Sequence, residues 1–238
     1  MFRRVLALLW LRLQIIISNK SILLQVIMPF AFVYFYKYLL EIQGDGSSQQ
    51  AITLLAICLP FSLALAVGNP ITVILSEEKE KHNLRTLLIS GVKGYEYLVS
   101  TLILPLVLTV IVSITIPLIL KVSIENVFNY SIVILLTSFV IILIYLFIGL
   151  ITRSQVEAQV IGVPAMLLVS FLPMLANIDK NISKFVDYSF MGLFTEYVDK
   201  WQKFSWGESI ETNISLILWA LLLIICNYLA ITKKILFN

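Results

Sequence analysis

Histidine occurs once in these 238 residues and cysteine twice. A Ser–His or Cys–His nucleophile needs a histidine base, and the only histidine, His82, lies within a charged stretch. A zinc site or a disulfide framework needs more ligands at regular spacing. Cys58 and Cys226 both fall inside apolar runs and read as small buried hydrophobes. No GxxxxGK followed by Ser or Thr is present, so the phosphate cradle of a nucleotide hydrolase is missing. Charge is scarce as well: 13% of residues are charged, against about a quarter in a soluble domain. The net charge of +3 is too small to indicate nucleic acid. No polar stretch is long enough to fold alone, and no loop contains a proline.

What is present is apolar. Hydrophobic residues make up 60% of the chain, which marks a membrane protein rather than a large soluble core. A helix needs about 20 apolar residues to cross the hydrocarbon. Six segments meet that length: Ile22–Leu40, Ala51–Leu75, Leu98–Leu120, Ser131–Ile151, Val156–Ile178 and Thr212–Ile231. They are apolar all round, so helices fit and the alternating strands of a barrel do not. Arg3 and Arg4 precede a shorter apolar run that Arg12 interrupts, and no small-x-small cleavage site follows. Residues 1–20 therefore read as an interfacial helix, not a signal peptide. The expected fold is an all-α membrane protein. It has six transmembrane helices, the N-terminal interfacial helix, a cytosolic helix in the loop 76–97 and a short outer helix within 176–211, all in one domain over 1–238.

Lysine and arginine set the orientation. One side carries Arg3, Arg4, Arg12, Lys20, Lys79, Lys81, Arg85, Lys93, Arg153, Lys233 and Lys234; the other carries Lys37, Lys121, Lys180, Lys184, Lys200 and Lys203. Eleven against six puts both termini and the loop after the second span in the cytoplasm.

That loop, Glu77 to Lys93, is the one long charged interruption between spans. Glu77, Glu78 and Glu80 alternate with Lys79 and Lys81, so the local field is nearly neutral. Glu77 and Lys81 have the favourable i,i+4 order, and Ser76 can cap a helix whose positive end suits the acids. Leu84, Leu87 and Leu88 then form an apolar stripe beside Arg85. Such a helix is either a solvated face or a leucine ridge fitted to a groove on a partner.

All seven prolines lie inside apolar segments. Pro60 and Pro70, Pro105 and Pro117, and Pro164 and Pro173 place two each in the second, third and fifth spans. Proline removes a backbone donor and bends a helix; these six are either ordinary kinks or hinges of a gated path. In the outer segment, Phe190, Phe194, Tyr197, Trp201 and Phe204 recur at alternating four and three, one helical face. That face suits an aromatic belt anchor or a re-entrant helix closing an outer mouth. Glu157, near the start of the fifth span, either pairs with Arg153 at the rim or marks a functional charge.

The run Glu77-Glu78-Lys79-Glu80-Lys81, then Leu84-Arg85-Thr86-Leu87-Leu88, then Ser90-Gly91-Val92 and Tyr95-Glu96-Tyr97-Leu98, resembles the cytosolic loop of type-2 ABC transporter permeases. It departs from many members at His82-Asn83. The resemblance extends in outline to the whole chain. It implies that Glu77–Ser90 is a coupling helix seated on a separate ATP-binding subunit, with Glu77, Glu78, Glu80, Lys81, Leu84, Arg85, Leu87 and Leu88 at the contact. Arg153 and Glu157 would form a second contact, and Phe2–Ser18 would lie beside the ATPase. It further implies a second permease copy or paralogue, ATP and Mg bound by the partner and none by this chain, and export from the cell. Few charges line the spans, which suits a hydrophobic or amphipathic cargo such as a peptide, drug or lipid. Two other classes fit the composition: an immunity protein shielding the membrane from an antimicrobial peptide, and an intramembrane enzyme.

Overall fold

The computed structural model describes residues 2–42, 47–81, 94–176, 178–201 and 203–237. Among them all regular structure is helical. The elements are α1 (Phe2–Ser18), α2 (Lys20–Ile42), α3 (Ser48–Ser62), a π-helical stretch (Leu63–Gly68), α4 (Asn69–Glu80), α5 (Gly94–Leu120), α6 (Val127–Ile151), α7 (Gln155–Leu175), α8 (Lys180–Asp187), α9 (Gly192–Asp199) and α10 (Ile210–Phe237). Among the described residues six helices are long and apolar enough to cross a membrane: Lys20–Ile42, Gln49–Glu80, Val99–Leu120, Val127–Ile151, Gln155–Leu175 and Ile210–Ile231. The chain is thus an all-α, multi-pass membrane protein.

Local chemistry sets the helix starts. Asn19 Oδ1 accepts the backbone N–H of Ser21 at 3.1 Å, Asn126 Oδ1 that of Asn129 at 3.1 Å, and Ser154 Oγ that of Glu157 at 3.2 Å. Each satisfies a donor that has no partner within its own helix. At the far end of α5, Lys121 takes a positive φ of 56°. The N–H of Val122 then reaches the carbonyl of Pro117 at 3.0 Å, which closes that helix end.

Helix α6 is the most buried span, packed by α4, α5, α7, α9 and α10. Small residues let the backbones meet. A Cβ on Gly68 would lie 2.3 Å from the Tyr145 ring, and one on Gly149 would lie 3.0 Å from Leu75. Between them, Thr72 Oγ1 donates to the carbonyl of Tyr145 at 2.9 Å. The second span is not uniform. Pro70 has no N–H for the carbonyl one turn back, and the turn before it widens so that Asn69 N–H reaches Ala64 O. The widened turn is wholly buried, and Tyr145 packs over its last residue, Gly68.

Filling that contact disturbs a rigid seam. Gly68→Ala is expected to cost about 1–3 kcal/mol by overpacking, read as a lower unfolding temperature in detergent. Gly207→Ala, whose Cβ would come no nearer than 3.9 Å to another side chain, is the control and should leave it unchanged.

Candidate functional site

The second span runs on past its apolar part to Glu80, and this decides the chemistry of the charged run. Ser76 is not a helix cap. It lies inside α4, and its hydroxyl donates to the carbonyls of Thr72 at 2.8 Å and Val73 at 3.0 Å. The expected positive end for the acids is absent, because the helix begins at Asn69. Glu77, Glu78 and Glu80 instead sit at a helix C-terminus, where the dipole disfavours negative charge. Each finds separate compensation. Glu77 pairs with Lys81 at 2.5 Å in the expected i,i+4 order.

Glu78 turns inward. It is 3% exposed, and Arg12 of α1 is 2% exposed beside it. Arg12 Nη2 lies 3.7 Å from Glu78 Oε2, which also accepts the Tyr97 hydroxyl. The Arg12 guanidinium stands 4.9 Å from the centre of the Tyr97 ring, a cation–π geometry. Arg12 is placed there by register: Val5, Leu8, Arg12 and Ile16 form the buried stripe of α1, while Leu6, Trp10, Leu13 and Ile17 form the exposed one. The three side chains line a pocket of about 20 Å³ between α1, α4 and α5, with Pro70 and Pro105 in its wall. Arg12 Nε and Glu78 Oε1 are buried and make no hydrogen bond among the described residues. Glu78 thus stands near the end of α4 and Tyr97 near the start of α5, and Arg12 joins the two.

Lys79 and Glu80 bridge to the break between α6 and α7. Lys79 Nζ donates to the carbonyls of Gly149 and Thr152 and to that of Leu150 at 3.1 Å. These are the orphan acceptors at the negative end of α6. Glu80 Oε2 accepts the N–H of Gln155 at 3.0 Å, the first residue of α7. Two adjacent residues of opposite sign therefore meet two helix ends of opposite polarity. Glu157 completes a capping arrangement: its carboxylate accepts the backbone N–H of Arg153 at 2.7 Å, so it caps the chain rather than pairing with the arginine side chain.

The anticipated contact residues Glu77, Glu80, Lys81, Arg153 and Glu157 are thereby gathered at one end of the bundle. Leu84, Arg85, Leu87 and Leu88 lie outside the described residues. Sequence reasoning passed over Arg12, Lys79 and Tyr97. The usable signal for Arg12 was an arginine in the register of the apolar stripe of α1, which demands a buried acid.

At the opposite end, the aromatic set packs into the protein. The helix covers only Gly192–Asp199, so Trp201 and Phe204 lie beyond it. All five rings still face inward, because ring partners are supplied by α6 and α10. Tyr197 meets Trp201 at 5.4 Å, Phe204 at 5.1 Å and Tyr130 at 6.2 Å; Phe190 meets Trp219 at 5.9 Å. Tyr130 donates its hydroxyl to Ser113 O at 2.7 Å. The face is therefore not turned outward as a belt anchor, and the segment caps this end of the bundle. Glu196 fastens it, accepting from Lys200 at 2.9 Å and from Thr212 of α10 at 2.6 Å. Burial opposes the charge of Glu196, but hydrogen bonds from Thr212, Lys200 and Ser209 outweigh it and hold its carboxyl below the ordinary value. Asp187 and Asp199 are pushed up, first by burial and then by neighbouring acids including Glu196.

Long apolar helices with a charged, cross-braced end define a polytopic membrane protein, and among the described residues no group of His, Cys, Asp and Glu could hold a metal. A model of the ABC-2 family transporter proteins matches residues 13–231, and the chain belongs to that family. No curated protein gives a significant match. The family is a membrane transport component, and this chain is its permease.

Breaking a buried pair leaves an uncompensated charge. Arg12→Met or Glu78→Leu alone should cost about 3–5 kcal/mol, while the double variant should recover most of it; unfolding in detergent measures the cycle. The pH dependence of the opposite end has two signs. Asp187 and Asp199 bind protons more tightly in the folded state, so stability rises as pH falls from neutral through their raised values. Glu196 acts oppositely, and its contribution is lost as pH falls through its lowered value. Tryptophan fluorescence followed during unfolding should show a mildly acidic optimum, and Asp199→Asn should raise stability at neutral pH and flatten the acidic gain.

Proposed function

We propose that this permease is the membrane subunit of an ATP-driven exporter and passes a hydrophobic or amphipathic cargo, a peptide, drug or lipid, out of the cell. ATP and Mg are bound and ATP is hydrolysed by a separate subunit, and a second permease copy or paralogue completes the pathway. The protein sits in the cell membrane with both termini in the cytoplasm, on the lysine and arginine bias. The observation that carries this reading, beside the family match, is the convergence of α1, the end of α4, the start of α5 and the α6–α7 break at one charged end.

In this reading the leucine stripe Leu84, Leu87 and Leu88, with Arg85, seats in a groove of the ATPase. Glu77, Glu80, Lys81, Arg153 and Glu157 flank that seat. Glu78 serves inside: through Arg12 it ties both legs of the loop to α1, so a push on the loop moves α1, α4 and α5 together. The unpaired Arg12 Nε and Glu78 Oε1 support a junction that re-forms during the cycle, since an incompletely satisfied buried network is held less firmly than a complete one. Pro70 and Pro105, in the wall of the same pocket, are the first hinges to move. Pro60, Pro117, Pro164 and Pro173 extend the bending along the second, third and fifth spans.

Replacing Leu84, Leu87 and Leu88 with Asp should abolish capture of the ATP-binding subunit while membrane insertion is retained. Full-affinity capture by that variant would place the docking site elsewhere. In the assembled complex, peptides, drugs or lipids should stimulate ATP hydrolysis; stimulation by glycans alone would refute the cargo class.

A further inference from the structure

We propose that a groove along α10, at the end of the bundle opposite the charged loop, binds a membrane lipid whose head group carries a free primary ammonium. The groove has a volume of about 490 Å³ and is lined by Tyr188, Glu211, Ile214, Ser215, Leu218, Trp219 and Leu222. Ile214, Leu218 and Leu222 are exposed. From Glu211 to Leu222 the helix rises about 16 Å, close to half of the roughly 30 Å hydrocarbon core. The groove therefore has the length of one acyl leaflet. Its charged end coincides with the start of the span, Ile210–Ile231, where a head group lies.

The charge in the groove is of one sign. Ser215 Oγ and Trp219 Nε1 both donate to the carbonyl of Tyr188, at 2.7 and 3.0 Å. These bonds fix the Tyr188 backbone in the wall and occupy the Ser215 and Trp219 donors. Glu211 is the charged residue lining the groove. Lys200 is taken by Glu196 and Glu208, and neither Glu211 nor Asp187 forms an ion pair among the described residues. Asp187 is held up by burial, then by Glu196 and Glu211, so the two unpaired acids share one negative field. A primary ammonium donates charge-assisted hydrogen bonds to such a carboxylate. A second copy of the chain fits less well, because a two-fold axis along the membrane normal would set an equivalent carboxylate at the same depth as Glu211.

The test uses the full-length chain in bilayer discs containing equal phosphatidylethanolamine, phosphatidylcholine and phosphatidylglycerol, with retained lipid weighed by native mass spectrometry. Phosphatidylethanolamine should be retained about ten-fold over phosphatidylglycerol, the scale of one charged hydrogen bond, and Glu211→Gln should reduce the ratio toward one. Leu218→Trp, which fills the groove, should release lipid of every head group. Equal retention of the three lipids, an unchanged ratio in Glu211→Gln, or efficient cross-linking between copies through Leu218→Cys would each overturn the assignment.

Discussion

The charged end of this protein depends on a single buried contact, the Arg12 guanidinium against the Glu78 carboxylate, with the Tyr97 hydroxyl on the same oxygen and its ring beside the cation. Neither charge is stable there alone, since desolvation of an unpaired ion costs several kcal/mol. The pair therefore fixes where α1 lies. It also draws together the end of α4 and the start of α5, which the intervening loop separates in sequence. Ile16, Ile22, Val73, Ile74 and Leu104 close around this junction as a small apolar cluster of their own.

The next layer of order comes from helix polarity. Acids at the end of α4 oppose its dipole, a conflict that Lys81 resolves locally for Glu77 and that neighbouring elements resolve for Glu78 and Glu80. Lys79 covers the open carbonyls of α6 and Glu80 covers the open donors of α7. The break between those helices is thus held by residues of a third. Gly68, Thr72 and Gly149 bring α4 and α6 close enough for that reach. Charge at the end and small residues within the spans are parts of one arrangement.

Much of the fold was legible in the chain. Six apolar segments became six helices with ends shifted by a few residues, because hydrocarbon thickness and backbone satisfaction leave no other form. The Glu77–Lys81 pair was legible too, being local. The role of Ser76 was not, since the sequence carries no mark where a membrane helix stops and a charged extension begins; α4 ran through it. Glu78 looked like its acidic neighbours, yet faces the other way because Arg12 lies on that side. The aromatic period implied one helical face from Phe190 to Phe204, whereas α9 ends at Asp199 and Trp201 and Phe204 reach the same cluster from beyond it.

The amino-acid sequence determined the membrane class, the number of spans and the presence of a charged loop, because hydropathy and i,i+4 spacing act within a few turns of one helix. Tertiary structure alone decided which acid is buried, which lysine closes a neighbouring helix and which way the aromatic rings turn. Those outcomes depend on the partner that packing brings within about 4 Å, where a charge or a ring gains or loses most of its interaction energy.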